Sequence, residues 1–431
     1  MSNYPRVLII SNNSISKSSN TGRTMANLFI GWPKDKLAQF CISTTEPDYD
    51  VCDNYFLLTD RSVLEGFKHF QKGTRCGIEE NKGTEGNTVI GGKKAFKTPL
   101  KMLLRQVVWG GNRWKSKEFK DWVNAFEPEM IFIWNSDAMF ILDIATNISK
   151  ERNIPIVMYN TEGYYFFEKN IYAKDRWFGD SFYGLFHHFY RRHFERMMKR
   201  VVLSVHLNSL LRDDYHKAFG GKQMVLYTGS NLKFDSSNLH LDSPIFSYLG
   251  NLAFNRHKAL IDIAETLQSI NKAFFLDVYG PVPSPSVEEE LRSSEGITYH
   301  GMVPYDKVVR VMYNSTILFH AETQDEELKY YLRYGFSTKI GDSISSGHPF
   351  LMYSSPDIAG AKYVLETGAG WYAKDRMELN KAIITILENR NERERVLDIA
   401  RETAHINHDA QTNSVFIQNE LASVAKRNID F

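Results

Sequence analysis

Short apolar segments bounded by polar, glycine or proline residues recur along this chain, and amphipathic stretches such as AMFILDIATNISKERN separate them. In the first half they are RVLII at 6–10, MIFIW at 130–134, PIVMY at 155–159, VVLSV at 201–205 and MVLYT at 224–228. Apolar strands that alternate with helices indicate a parallel sheet covered by helices on both faces. The pattern therefore predicts an α/β fold.

A polar segment, SNLKFDSSNLHLDSP at 230–244, interrupts this alternation and is typical of a linker between domains. A second series of apolar segments follows: IFSYLG at 245–250, FFLDVYG at 274–280, ITYHG at 297–301, ILFHAE at 317–322 and FLMYSS at 350–355. A chain of 431 residues is also too long for one compact core. We expect two doubly wound domains with ligands in the cleft between them.

The predicted first domain spans 1–230 and the second spans 243–405, while 406–431 forms a C-terminal helix that can pack back on the first domain. Within the first domain, the region 66–101 is rich in glycine, asparagine and charge. We interpret it as a mobile loop.

Composition narrows the cellular context. The 52 basic and 51 acidic residues nearly cancel, so the overall charge gives no support to a nucleic-acid partner. The 3 cysteines lack metal-ligand spacing, which favours a reduced, cytoplasmic compartment. We find no signal-peptide core and no apolar run of the roughly 20 residues that a membrane span needs. We therefore expect a soluble protein, or one that rests on a membrane without crossing it.

The segment STKIGDSISSGHPF at 337–350 predicts a short helix between two strands. Ser337 suits the N-cap and Thr338 the first turn, and Gly347 ends the helix before Pro349. The free amides at the N-terminus of such a helix, together with its dipole, favour an anion.

Lys339 would add a full positive charge at this helix end. Asp342, one turn along, can accept hydrogen bonds from a diol such as ribose. Together they predict a nucleotide diphosphate site. The alternative is an ordinary helix on which Lys339 and Asp342 form an i,i+3 salt bridge.

The pattern SxKxxDxxSSGxP resembles the donor-site signature of group 1 glycosyltransferases, which have the GT-B fold. This resemblance implies two Rossmann-like domains, with acceptor bound by the first and nucleotide-diphosphate sugar by the second, and no further cofactor. Asp342 takes the place of the family's ribose-binding glutamate. Tyr334 stands where the family has another glutamate, which is a departure. The STKI sequence is closer to capsular-polysaccharide transferases.

The resemblance extends over most of 245–373. SYLGNLAFNRHKALIDIA at 247–264 is similar to the family's pyrophosphate-binding segment, which implies a diphosphate contact for Arg256, with Lys258 as an alternative. Gly280 lies in FFLDVYGP, which occupies its usual place in the family's order. His320, at the end of a predicted strand, could contact the sugar or could be a histidine at the edge of the core.

In the first half the resemblance is looser. SNTGRTMANLFIGWP at 19–33 is similar to a family loop whose glycine lets the backbone approach diphosphate or acceptor. This implies contacts for Gly22, Arg23 and Thr24, although Gly22 fits a plain turn equally well.

Glu162, just beyond a predicted strand, is our candidate for the base that deprotonates an acceptor hydroxyl, and the alternative is a structural role. The family's retaining members have a histidine–aspartate pair near this place, which the chain lacks. Asp137 is a second carboxylate expected at the edge of the cleft, and we interpret it as a helix cap. The tripeptide Asp48–Tyr49–Asp50 matches a metal-binding DxD motif in an unsuitable context, so we predict no essential metal.

Two basic, aromatic stretches remain: GGKKAFKTPLKMLLRQVVWGGNRWKSK at 91–117 and HHFYRRHFERMMKR at 187–200. They suit either an anionic membrane surface or helices that pack on their own domain.

These features and the resemblance together predict a metal-independent glycosyltransferase of the hexosyltransferase type, acting on a glycan or lipid-linked glycan in surface polysaccharide synthesis. We expect it in the cytoplasm, either free or at the inner face of the cell membrane. Two alternatives remain open: a nucleotide-sugar epimerase of the same fold, and a degenerate subunit that binds a nucleotide sugar without turnover.

Overall fold

The computed structural model describes residues 4–16, 20–42, 47–69, 74–76, 97–237 and 239–425. The chain divides into two compact units. The first comprises Met1–Leu207, Leu211–Val225 and Ser414–Phe431, and the second comprises Asn208–Leu210 and Leu226–Asn413.

The strands of the described chain are short and mostly buried. They are β1 (Val7–Ser11), β2 (Leu37–Cys41), β3 (Tyr55–Leu57), β4 (Thr74–Cys76), β5 (Met130–Trp134), β6 (Ile156–Asn160), β7 (Val201–His206), β8 (Gln223–Val225), β9 (Phe246–Leu249), β10 (Leu276–Tyr279), β11 (Ile297–Gly301), β12 (Ile317–Ala321), β13 (Phe350–Tyr353) and β14 (Trp371–Ala373).

The helices alternate with these strands. They are α1 (Asn20–Leu28), α2 (Asp60–His69), α3 (Pro99–Trp109), α4 (Lys117–Phe126), α5 (Met139–Arg152), α6 (Tyr183–Met198), α7 (Ser209–Phe219), α8 (Arg256–Ile270), α9 (Pro285–Ser293), α10 (Tyr305–Asn314), α11 (Glu326–Leu332), α12 (Thr338–Ser346), α13 (Ala359–Thr367), α14 (Arg376–Glu388), α15 (Arg390–Thr403) and α16 (Ala410–Ala425). A 3-10 turn lies at Lys34–Lys36 and a π-helical turn at Ala404–His408.

The first unit contains a sheet in the order β4-β3-β2-β1-β5-β6-β7-β8. All neighbours are parallel except β3 and β4, which are antiparallel. Every residue of β1, β2, β5 and β6 is buried, because helices cover both faces of the sheet. This explains why these strands are mostly apolar rather than alternating.

The second unit contains a six-stranded sheet in the order β11-β10-β9-β12-β13-β14, in which all neighbours are parallel. The strand order reverses at β9 and β12, which pair with each other although they are distant in sequence. In open α/β sheets, ligands bind beyond the carboxyl ends of the strands at such a switch point. The equivalent pair in the first sheet is β1 and β5.

Most of the region 66–101, predicted as a mobile loop, lies outside the described residues. Of the rest, 66–69 belong to α2, 74–76 form β4, and 99–101 begin α3. From Ser414 onwards the C-terminal helix α16 belongs to the first unit, where Ser414 Oγ donates to the carbonyl oxygen of Ile30 at 3.0 Å. In the part of the chain that the structure describes, no helix combines the length and the apolar composition needed to cross a bilayer.

Candidate functional site

The segment 337–350 forms the predicted helix, α12. The Ser337 hydroxyl accepts a hydrogen bond from the Lys339 amide at 3.3 Å, so Ser337 is the N-cap and Thr338 the first helical residue. Gly347 ends the helix at φ +87°, and a Cβ there would lie 2.7 Å from the backbone of Asp235. Only glycine fits this C-terminus, which explains the Gly-x-Pro ending of the motif.

Lys339 and Asp342 form an i,i+3 ion pair on α12, with 3.1 Å between Nζ and Oδ2. The other carboxylate oxygen, Oδ1, accepts a hydrogen bond from the Ser230 hydroxyl at 2.9 Å. The Asp342 side chain is 13% exposed. The salt bridge that was the alternative reading of this helix is therefore present, and a ribose diol would have to exchange with Ser230 or Lys339.

A buried histidine supports α12 from beneath. His408 Nδ1 lies 3.0 Å from the Thr228 carbonyl oxygen and Nε2 lies 2.8 Å from the Tyr363 hydroxyl. Burial lowers the pKa of His408 to about 4, so the ring is neutral, with Nδ1 donating and Nε2 accepting. A Cβ on Gly341 would lie 2.7 Å from His408 Nδ1. The glycine in STKIGD thus lets the helix lie directly on the imidazole.

A second cation–carboxylate pair lies at the switch point of the second sheet. Arg256, the first residue of α8, contacts Glu322, the residue after β12, through Nε at 2.7 Å and Nη2 at 3.0 Å. His320 Nε2 lies 3.1 Å from Glu322 Oε1. Burial raises the pKa of Glu322, but the His320 hydrogen bond and the Arg256 charge outweigh it, and the net pKa is lowered. Glu322 is an ionised carboxylate that sequence reasoning did not select.

The backbone before Arg256 is strained. Phe254 and Asn255 have φ of +59° and +56°, in the left-handed region that a bulky residue seldom adopts. Such conformations cost about 1–3 kcal/mol each and concentrate at functional sites. Phe254 is also 46% exposed. This loop, between β9 and Arg256, is the most strained segment of the second unit's switch point among the described residues.

Lys258 and Gly280 occupy different environments. Lys258 is exposed, two residues into α8. Gly280 follows β10 at φ +146°, and a Cβ there would lie 1.7 Å from the Gly250 carbonyl oxygen. Its amide donates to Gly301, and its carbonyl oxygen accepts from the Tyr299 hydroxyl. Close backbone packing accounts for this glycine without a ligand.

Glu162 lies two residues beyond β6, at the carboxyl edge of the first sheet. Burial raises its pKa to about 7. A carboxyl group with a pKa near neutrality can both accept and return a proton at physiological pH, as a general base must.

Two asparagines at the same edge were not selected from sequence as ligand contacts. Asn135 follows β5 and Asn160 ends β6, and the buried atoms Asn135 Nδ2 and Asn160 Oδ1 have no hydrogen-bond partner. Asn160 Nδ2 lies 3.4 Å from Nδ1 of His206, whose pKa burial lowers to about 4. In the sequence, each asparagine stands at the end of a predicted strand, and this position could have marked both as candidate ligand contacts.

The first-unit loop expected around Gly22 is instead helical. Gly22, Arg23 and Thr24 lie in α1, and Met25 and Leu28 of that helix are buried in the core. The helix forms because its apolar residues recur at helical spacing, so the prediction of a loop there was wrong.

The reading of Asp137 as a helix cap was also wrong. The N-cap of α5 is Ala138, with no side-chain hydrogen bond. Asp137 instead contacts Lys97 Nζ at 2.7 Å and accepts from the Tyr172 hydroxyl at 3.1 Å.

The Asp48–Tyr49–Asp50 tripeptide forms a turn in which Asp48 Oδ1 accepts the Asp50 amide at 2.9 Å. Across the residues that the structure describes, no group of three or more His, Cys, Asp or Glu side chains is arranged to hold a metal ion.

No protein-family model matches this chain, and neither does any curated protein sequence. Solved structures do. Anabaena HepE in complex with UDP matches at a TM-score of 0.62 and 13% identity, over 97% of this chain and 100% of that one. Sucrose-phosphate synthase from Thermosynechococcus elongatus matches at 0.60 and 12%, over 97% and 98%.

An α,α-trehalose-phosphate synthase from Burkholderia xenovorans, in complex with glucose-6-phosphate, matches at a TM-score of 0.59 and 11% identity, over 96% of this chain and 99% of that one. The chain therefore has the GT-B fold, and the predicted fold class is confirmed.

Proposed function

We propose that this protein is a glycosyltransferase that moves a sugar from a nucleotide-diphosphate sugar to a glycan or lipid-linked glycan acceptor. The observation that carries the proposal is the α12 N-terminus, where a serine-capped helix end, Lys339 and Asp342 coincide in a GT-B fold. Free helix amides and a lysine bind a diphosphate, and a carboxylate one turn along accepts from ribose hydroxyls.

In this proposal the second unit binds the donor. Ser337, Thr338 and Lys339 hold the diphosphate, and Asp342 exchanges Ser230 for the ribose. Arg256 and Lys258 add positive charge from α8, with Gly280 directly after β10 and His320 near the carboxyl end of β12. Cations that neutralise the leaving diphosphate perform the work that a metal performs in other transferases, so transfer proceeds without an essential metal.

The first unit supplies the acceptor and the base. Glu162 takes the proton from the acceptor hydroxyl as that oxygen bonds to the anomeric carbon. The bond between the anomeric carbon and the diphosphate breaks at the same carbon, and the nucleotide diphosphate leaves with the bonding electrons. Gly22, Arg23 and Thr24 of α1 contact the acceptor or the diphosphate.

The donor and acceptor classes are narrower proposals. HepE has been crystallised with UDP, with UDP and glucose, and with UDP-glucose, so UDP-hexoses are the first donors to test. The STKI segment, which is similar to capsular-polysaccharide transferases, supports an acceptor in surface polysaccharide synthesis. We place the enzyme in the cytoplasm, in peripheral contact with the inner face of the membrane, with no nucleic-acid partner.

The test is incubation of the purified protein with a panel of nucleotide sugars, with and without a lipid extract as acceptor. Acceptor-dependent release of nucleotide diphosphate supports transfer. Isomerised donor without release supports an epimerase, and saturable binding without turnover supports a binding subunit. Either of the last two results overturns the proposed reaction.

A further inference from the structure

A tight turn in the first unit presents two aromatic side chains to solvent. The backbones of Asp175 and Gly179 exchange two hydrogen bonds of 2.9 Å, which closes the turn. At its tip, Trp177 is 80% exposed and Phe178 is 49% exposed. Because these hydrogen bonds fix the backbone of the turn, the positions at which the two aromatic side chains leave it are defined.

The turn is fastened to the start of two helices. Asp175 Oδ2 accepts from the Leu100 amide in α3 at 3.2 Å, and Phe178 packs edge-to-face on Phe182, the residue before α6, with 5.0 Å between ring centroids. Because residues 161–182 connect β6 to α6, the turn belongs to the same connection as Glu162.

Helix α6 continues this apolar surface and adds positive charge. Leu185 and Phe189 are exposed large apolar residues one turn apart. Arg192, Arg196 and Lys199 extend the same face at spacings of three and four residues, and all are exposed. The helix is thus apolar on its buried face and apolar-basic on its outer face.

Helix α3 also exposes large apolar side chains to solvent. Leu104 and Val107 are 56% and 66% exposed, three residues apart, whereas Met102 and Trp109 are buried. Both α3 and α6 contact Asp143 of α5, through Gln106 Nε2 at 2.9 Å and through His193 Nδ1 at 2.6 Å. The two helices therefore lie side by side on α5. We call the outward set the α3–α6 surface: Leu104, Val107, Trp177, Phe178, Leu185, Phe189, Arg192, Arg196 and Lys199.

The charge on this surface is mostly positive, which favours an anionic partner. The exposed acid beside the turn, Asp180, lies 3.1 Å from Lys174, and Glu195 of α6 accepts from the Tyr165 hydroxyl at 2.8 Å. A cavity of about 350 Å³ is lined by Arg192, Glu195, Arg196 and Lys199. Surfaces that combine exposed aromatic and basic residues suit anionic lipid.

We infer that the α3–α6 surface docks the protein on an anionic phospholipid bilayer. Trp177 and Phe178 enter the interfacial region, and Arg192, Arg196 and Lys199 contact headgroup phosphates. The inference deepens the proposed function and rests on it for its purpose, since docking would bring a lipid-linked acceptor to the connection that carries Glu162. The binding itself needs neither donor nor catalysis.

The first experiment is co-sedimentation of the full chain with phosphatidylcholine vesicles, with and without phosphatidylglycerol. We expect binding only when phosphatidylglycerol is present, and weakening as salt rises. The double variant Trp177→Ala/Phe178→Ala should lose at least about tenfold in vesicle affinity, because each aromatic side chain contributes apolar burial. Met377→Ala is the matched control, since Met377 is 77% exposed in the second unit.

Charge is tested separately. Arg192→Ala/Arg196→Ala should lose about thirtyfold in vesicle affinity, since each basic residue near an anionic surface contributes roughly fivefold. The control is Arg310→Ala in the second unit, where the side chain is 70% exposed. All variants should melt close to the wild-type temperature, because the changed side chains are exposed and lose only surface contacts, that of Phe178 with Phe182 and the 3.8 Å ion pair of Arg196 with Asp143.

Equal binding to neutral and anionic vesicles, or no binding to either, overturns the inference. So does a concentration-dependent dimer that Trp177→Ala/Phe178→Ala abolishes, since the surface would then join two copies of the chain. Donor turnover without vesicle binding would leave the proposed function standing and refute docking. Vesicle binding without turnover on any donor would support docking and refute the proposed function.

Discussion

Glu162 and Glu322 occupy comparable places in the two sheets, since each lies just beyond the carboxyl end of a parallel strand. Their environments act in opposite directions. Glu322 is held by Arg256 and His320, and its pKa is lowered despite burial, whereas burial raises the pKa of Glu162 to about 7. Two carboxylates with separated pKa values can take different roles, one remaining charged and one exchanging a proton.

The largest expected effect is the loss of catalytic rate in the variant Glu162→Gln. Removal of a general base typically lowers a rate by about 10²–10⁴-fold. Because the amide is neutral, the melting temperature should stay at or above the wild-type value. Steady-state release of nucleotide diphosphate measures the rate, with Glu168→Gln, an exposed glutamate of the same connection, as the control. A Glu162→Gln enzyme of normal activity would contradict the role of base.

Glu322→Ala should act on stability instead. It leaves Arg256 buried without its partner, which typically costs about 3–5 kcal/mol of unfolding free energy. For a unit of this size the melting temperature should fall by roughly 6–20 °C. Glu326→Ala is the control, because its side chain is 88% exposed and pairs with Lys329 at the surface. Equal melting curves for the two variants would show that the buried pair contributes little.

Asp342→Ala should weaken the binding of a nucleotide diphosphate. Hydrogen bonds to a charged group contribute about 1.5–3 kcal/mol, so affinity for a nucleotide diphosphate should fall by roughly tenfold to hundredfold. Titration calorimetry with UDP measures this. Asp306→Ala, a 68% exposed aspartate that pairs with Arg310, is the matched control. If affinity is unchanged, Asp342 does not bind ribose.

The smallest expected effect is the pH dependence of transfer. The base acts only when Glu162 is deprotonated, so kcat/KM should rise as the pH rises through about 7 and level off above it. At pH 7 the rate should be about half of its plateau. A profile that rises near pH 4 instead would mean that Glu162 is not the titrating group.

Sequence reasoning located the elements whose pattern is local. The apolar runs of β1, β5, β6 and β7 and the capped helix α12 were all predicted, because strand and helix periodicity and caps depend on neighbouring residues.

The strand β2 was not singled out, since LAQFC contains Gln39. That amide is buried and satisfied by distant groups, with Nε2 donating to the Ser11 hydroxyl at 2.8 Å and Oε1 accepting from the Ile15 amide at 2.9 Å. A polar residue in a strand core can be explained only when its partners are known.

The chain's own pattern determined two α/β sheets, the short helix with its serine cap and glycine end, and the side chains that this helix carries. Only the tertiary structure decided what those side chains contact. Ser230 reaches Asp342, His408 lies under Gly341, and Glu322 neutralises Arg256, across sequence separations of 112, 67 and 66 residues respectively (342 − 230, 408 − 341 and 322 − 256). Burial raises the pKa of both carboxyl groups, but only Glu322 has His320 and Arg256 beside it to lower its pKa again. Burial and these distant partners are properties of the packed molecule and have no local signature.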